Sequence, residues 1–158
     1  MSHPTTVYTF HATIHRLPDA APRGAELPLR GESLPTLTLA PTELSLPFDV
    51  TFEATETALS EFERLYCEPD GSFVWVSDEA GERWQVDGHL YDRAERLLYL
   101  ELKGHCPAKA FDRLLATLGW PAVPLAFQLV REAVILDETT FRRYAALPAG
   151  PASSGAVG

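Results

Sequence analysis

The stretch Trp84-Gln85-Val86-Asp87-Gly88-His89-Leu90-Tyr91-Asp92, followed after a polar turn by Leu97-Leu98-Tyr99-Leu100-Glu101-Leu102-Lys103, decides how this chain is read. Both halves alternate. Side chains point to opposite faces along a strand, so the pattern predicts a β-hairpin closed by Arg93-Ala94-Glu95-Arg96. Trp84, Val86 and Leu90 share one face of the first strand, with Gln85, Asp87, His89 and Tyr91 on the other. In the second strand Leu98, Leu100 and Leu102 oppose Tyr99, Glu101 and Lys103. One face is apolar. The other gathers an Asp, a His, a Glu and a Lys, and its role is the functional question of this sequence.

Working outward, Thr6–His15 alternates in the same way, with Tyr8, Phe10, Ala12 and Ile14 against Thr9, His11, Thr13 and His15. Leu17–Pro35 carries four prolines among small and charged residues and is expected to be a loop. Leu37 and Leu39 suggest a short strand. Leu44, Leu46, Phe48, Val50, Phe52 and Ala54 hold period two for eleven residues, the clearest strand pattern in the chain, with Pro47 implying an edge or a bulge. At Thr55 the period changes: Ala58, Leu59, Phe62, Leu65 and Tyr66 form a helical stripe over 55–66, with a strand continuing through Leu65 to Cys67 as the rival reading. Glu68-Pro69-Asp70-Gly71 is a turn, and Phe73–Val76 a strand.

Beyond the hairpin, Pro107 suits the first turn of a helix, Phe111, Leu114, Leu115 and Leu118 its apolar stripe, and Gly119 its stop. Leu125–Val130 and Ala133–Leu136 read as strands. Asp137 is a good cap for a helix over 138–146. Residues 148–158 are small and predict a disordered tail. The expectation is a single α+β domain over 1–147, with a mostly antiparallel sheet, two to three helices, extra N-terminal strands and a Pro-rich loop at 18–35.

Composition narrows the function classes. The chain has 158 residues, 46% of them hydrophobic, and a formal net charge of −9. That length and apolar content support one buried core rather than a disordered chain. The acidity favours solubility and disfavours a nucleic-acid backbone as partner. Cys67 and Cys106 do not make a disulfide framework. The start has neither a basic nor an apolar leader segment, and the longest uncharged run, Leu114–Val130, is too short and broken to span a bilayer. The expected setting is cytoplasmic.

Asp87, thirteen intervening residues, then Glu101-Leu102-Lys103 resembles the core of the PD-(D/E)XK nuclease superfamily, in which an Asp on one strand and an acid-x-Lys on the next hold a divalent metal beside a scissile phosphate. The expected order of elements over roughly 55–136 is similar to that family's restriction-endonuclease-like core. The resemblance implies Mg²⁺ held by Asp87 and Glu101, with the Leu102 carbonyl as a further oxygen ligand. It implies Lys103 in catalysis, steadying water and developing charge. Glu61 or Glu63 would be the accessory acid and Lys109 an additional cation. Val86 stands where the family has Pro, and Glu68, Asp70, Asp78, Glu79, Glu82 and Asp92 make the surroundings acidic.

Other constellations carry less. His11, His15, His89, His105, Cys67 and Cys106 lack the close spacing of structural zinc sites. Cys106 precedes a helix, whose N-terminal dipole lowers a thiol pKa. Trp75, Trp84 and Trp120 with Phe73, Phe111 and Phe127 suit either a core or a ligand groove. Two functional expectations follow: a metal-dependent phosphodiester hydrolase or a degenerate relative of one, and alternatively a non-catalytic acidic module that binds a protein partner.

Overall fold

The computed structural model describes residues 5–19, 21–78 and 80–149. The expected disordered tail therefore falls almost wholly outside the described residues. Among these described residues nine strands form one sheet: β1 (Val7–Arg16), β2 (Arg23–Leu29), β3 (Glu32–Leu37), β4 (Leu65–Cys67), β5 (Ser72–Val76), β6 (Gln85–Arg93), β7 (Arg96–Pro107), β8 (Leu125–Leu129) and β9 (Ile135–Asp137). Their order is β2-β3-β9-β8-β1-β7-β6-β5-β4. Every neighbouring pair is antiparallel. The α+β class with an antiparallel sheet and three helices is thus shown.

The helices are α1 (Phe52–Ser60), α2 (Ala108–Ala116) and α3 (Glu138–Ala146). All three lie on the same side of the sheet. Phe62, just after α1, packs on Trp75; Phe111 of α2 packs on Phe10; Phe141 of α3 packs on Phe127. Those sheet residues belong to the apolar alternation. Phe10, Ala12, Ile14, Val86, Leu90, Leu100, Leu102, Phe127 and Leu129 are all buried. Strand β1 is the spine, with β7 on one side and β8 on the other. Helix α2 carries the chain from β7 over β1 to β8 and covers the core as it goes.

Local chemistry sets the element ends. The Asp137 carboxylate accepts the Thr140 N–H at 2.8 Å and starts α3 where the sequence predicts. Thr51 does the same for α1, accepting from Ala54 N at 3.0 Å. The β6–β7 turn is a two-residue loop with Ala94 at φ 51° and Glu95 at φ 71°, the mirror-image geometry that matches the twist of a hairpin.

Two expectations are corrected. Residues 44–54 are not a strand. Glu43–Ser45 forms one 3-10 turn and α1 begins at Phe52, so the last two members of the alternating set lie in a helix. Between them the chain runs as a strap across the start of β7. Phe48 N–H donates to Leu97 O and Leu97 N–H to Val50 O, while Arg16 donates to Pro47 O. Of the alternating set Phe48 is fully buried and Val50 and Phe52 pack partly buried against the core, while Leu46 and Ala54 are exposed. The expected helix at 55–66 accordingly lies earlier, with Leu65 and Tyr66 in β4.

Conversely, 18–35 is not a loop throughout. It holds β2 and the start of β3, joined by Arg30-Gly31 with both φ positive. The prolines misled because Pro28 lies on the edge strand β2, and Pro35 lies in β3 short of Leu37, where β3 meets β9, so neither missing N–H removes a ladder bond to β9. Leu29 and Leu34 are buried by this hairpin.

Candidate functional site on the uncovered sheet face

The face away from the helices is a grid of polar and aromatic side chains. Direct cross-strand partners place Tyr91 beside Tyr99, His89 beside Glu101 and Asp87 beside Lys103 between β6 and β7. Strand β1 continues two of these rows, with Thr13 opposite Glu101 and His11 opposite Lys103. The sequence-predicted residues Asp87, Glu101 and Lys103 therefore share one face, as the alternation predicts.

Glu101 is the most constrained of them. His11 Nε2 lies 3.0 Å from one carboxylate oxygen. The Tyr91 hydroxyl donates to the other at 3.2 Å. Both oxygens are engaged by groups brought from two other strands. The His11 hydrogen bond, chiefly, holds the Glu101 carboxyl below the usual carboxylate range, and Tyr91 adds to it against an opposing effect of burial. Burial and then the Glu101 charge push the Tyr91 phenol up. Tyr91 thus stays a proton donor to the carboxylate at neutral pH.

Aromatic rings flank this group as a column. His89 stacks on Tyr91 at 4.4 Å, Tyr91 on Tyr99 at 4.5 Å, and Tyr99 on His15 at 5.1 Å. His15 ends the column and is buried beneath the strap. Its Nδ1 faces the Leu44 carbonyl at 3.2 Å and its Nε2 faces Thr13 Oγ1 at 2.7 Å. A carbonyl only accepts, so the proton sits on Nδ1 and Nε2 accepts from the threonine hydroxyl. Burial pushes this imidazole below its ordinary pKa, which favours the neutral ring that the two bonds require.

Asp87 and Lys103 are exposed. The Asp87 carboxylate accepts from Gln85 Nε2 at 2.8 Å and makes no ion pair with Lys103 among the described residues. Glu61 is not brought to this face. It ends α1 on the helix side, in a groove with Trp75 and Arg113, because the turn after α1 packs against the covered surface of the sheet. Glu63 and Lys109 line that same groove. The histidines and cysteines do not assemble either. Cys106 points into the core, where burial pushes its thiol up to about 12, the opposite of an activated nucleophile. Among the described residues no three His, Cys, Asp or Glu side chains converge as a metal cage. Among the described residues no helix is long and apolar enough to cross a membrane.

His11, Tyr91, Tyr99 and His15 were not singled out as partners of Glu101 from sequence. Each stands on the polar side of an alternating strand, which was the available signal. What joins them is the pairing of β1 with β7, about ninety residues apart. Compared with protein-family models, curated proteins and solved structures, the chain matches none.

Proposed function

We propose that this protein is a non-catalytic binding module that uses the uncovered face of its sheet to hold a cationic side chain of a protein partner. The observation that supports this reading is the Glu101 carboxylate, fixed between His11 and Tyr91 beside the His89–Tyr91–Tyr99–His15 column. A carboxylate retains lone pairs after accepting two hydrogen bonds. It is negative through the neutral range and its position is fixed in advance, so less ordering is lost when a ligand docks. Aromatic rings beside it suit the planar, weakly hydrated guanidinium of arginine. The chain's net charge of −9 adds steering toward a basic partner.

Calorimetric titration with a short arginine-bearing peptide, together with amide shift mapping, tests the reading. Shifts should concentrate on β1, β6 and β7. Glu101→Gln should weaken binding about tenfold, as expected for loss of a charge-assisted hydrogen bond. Equal weakening by neutralising any remote acid, such as Glu53, would reduce the interaction to overall charge and overturn the reading.

The register favours a second reading, a Mg²⁺-dependent phosphodiester hydrolase built on Asp87, Glu101 and Lys103, since these three share a face and Asp87 lies directly beside Lys103. Asp87 and Glu101 would supply the hard oxygen ligands, and the metal would act as a Lewis acid. The hydrogen bonds as they stand do not fit this, because both Glu101 oxygens are taken by His11 and Tyr91. A cation would have to displace one of them. Saturable Mn²⁺ binding that Glu101→Ala abolishes, with cleavage of a short duplex, would decide for the hydrolase.

A further inference from the structure

On the helix side of the sheet, a groove of about 600 Å³ runs between the turn after α1 and the start of α2. Trp75 and Trp84 wall it, meeting edge to face with ring centroids 4.9 Å apart. Trp84 is only half-buried, and two further hollows open beside it, so a ring surface is left with space around it. Three cations and two carboxylates, Glu61 and Glu63, make up the charged part of the wall. Arg64, Lys109 and Arg113 converge here, three of the chain's thirteen cations.

The state of these cations is the telling point. The Arg113 guanidinium lies 4.2 Å from the Phe62 ring centroid and 5.4 Å from that of Trp75, which fixes its position without using its hydrogen-bond donors. Lys109 and Arg113 have no ion-pair partner among the described residues. Arg64 sits in the left-handed region at φ 60°, a conformation that costs an arginine about 1 kcal/mol or more and concentrates at binding sites. Its Nε is buried with no hydrogen-bond partner. Its one ion pair, at 3.4 Å, is to Glu63, whose side chain is 84% exposed and free to swing away. The free donors of Lys109 and Arg113, with Arg64 beside them, next to the half-buried Trp84 ring are the complement of a flat molecule carrying an oxyanion.

We propose that this groove binds a small organic oxyanion, a phosphate or a carboxylate, borne on a planar ring. The ring lies against Trp84 and the oxyanion sits among Arg64, Lys109 and Arg113. Glu61 and Glu63 stand at the rim. Three cations against two carboxylates leave a local surplus of one positive charge, which suits a single oxyanion and rejects a polyanionic strand. This site is on the opposite side of the sheet from Glu101 and does not rest on the function proposed for that face.

Calorimetric titrations of the full chain with adenosine monophosphate, naphthalene-2-carboxylate, inorganic phosphate and uncharged adenosine test the proposal. One of the two ring-bearing anions should bind with a dissociation constant of about 1 mM or tighter, at least about tenfold better than phosphate alone or adenosine alone. Which of the two binds tells phosphate from carboxylate recognition. Lys109→Gln, an exposed change that leaves the fold alone, should weaken that ligand about threefold or more, and Arg113→Gln further. Glu101→Gln should leave it unchanged. The proposal is overturned if neither ring-bearing anion binds, if phosphate alone binds equally well, or if Lys109→Gln has no effect.

Discussion

Gly88 lies on β6 between Asp87 and His89, and replacing it with alanine should destabilise the protein by several kcal/mol. Helix and strand propensities alone point the other way, since alanine in a strand interior is favoured over glycine by about 0.5–1 kcal/mol. The structure decides the sign. A Cβ at Gly88 would lie 2.0 Å from Phe73 Cζ, 2.4 Å from Cε1 and 2.6 Å from Cε2. Carbon atoms pack at about 3.5–4.0 Å, so the ring must retreat by about 1.5 Å or more. Phe73 is 2% exposed and has no room to do so cheaply. Overpacking of a core costs about 1–3 kcal/mol, and deleting a buried phenylalanine ring about 3–5 kcal/mol. The second figure is the ceiling, because the chain can always expel the ring. A loss of about 3 kcal/mol is expected. Urea unfolding followed by the fluorescence of Trp75, the next inward residue on β5, measures it. The stringent test is the cycle with Phe73→Ala: with the ring gone the new methyl fills part of the hole, so the double variant should be more stable than the sum of the singles predicts, by about 1–3 kcal/mol. Additive effects, or a Gly88→Ala protein as stable as the parent, would refute the claim that the ring packs on bare backbone.

Three further outcomes follow from single features. Glu95 sits at φ 71° in the β6–β7 turn; Glu95→Gly should raise stability by about 1 kcal/mol in the same urea assay by relieving the left-handed strain. Tyr91→Phe removes one of the two donors to Glu101, so the Glu101 carboxyl should titrate at higher pH, read from its side-chain carbon shift. His15 has its folded pKa below the ordinary 6.5. The unfolded chain therefore takes up the proton first, and the stability this group contributes is complete above pH 6.5. It falls as pH drops below 6.5 and levels off beneath the folded pKa, with a slope of at most about 1.4 kcal/mol per pH unit; His15→Gln should flatten that segment of the stability curve.

How much of this was legible beforehand depended on whether the cause was local. The two faces of the β6–β7 hairpin, the stripe of α2 and the cap of α3 each rest on residues within one or two turns of each other, and each was visible. The β2–β3 hairpin was hidden because Pro28 and Pro35 are harmless only where no neighbouring strand needs their N–H, and that is a property of the whole sheet. Residues 44–54 misled for the converse reason. Their alternation was genuine, but β1 pairs with β7 as far as Leu100, so they reach only the first residues of β7 around Leu97, and Thr51 caps a helix directly after. Glu61 was grouped with Asp87 and Glu101 on the strength of order along the chain, which says nothing about which side of a sheet a helix covers.

The same reasoning explains why the two proposed sites differ in how they could have been found. Glu101 was conspicuous in the sequence, yet its chemistry is set by His11 and Tyr91, which reach it only because β1 lies against β7. An acid-x-Lys on an outer face is ordinary; an acid whose two oxygens are both held by partners from separate strands is a fixed negative point. The groove beside Trp84 had no motif at all. Arg64, Trp84 and Lys109 stand on three separate segments, and they converge because the turn after α1, the end of the β5–β6 loop and the start of α2 meet at one corner of the covered face. Pairing on one side and helix packing on the other place an anchored carboxylate and a cluster of three cations on opposite surfaces, so ligands of opposite charge are drawn to opposite faces.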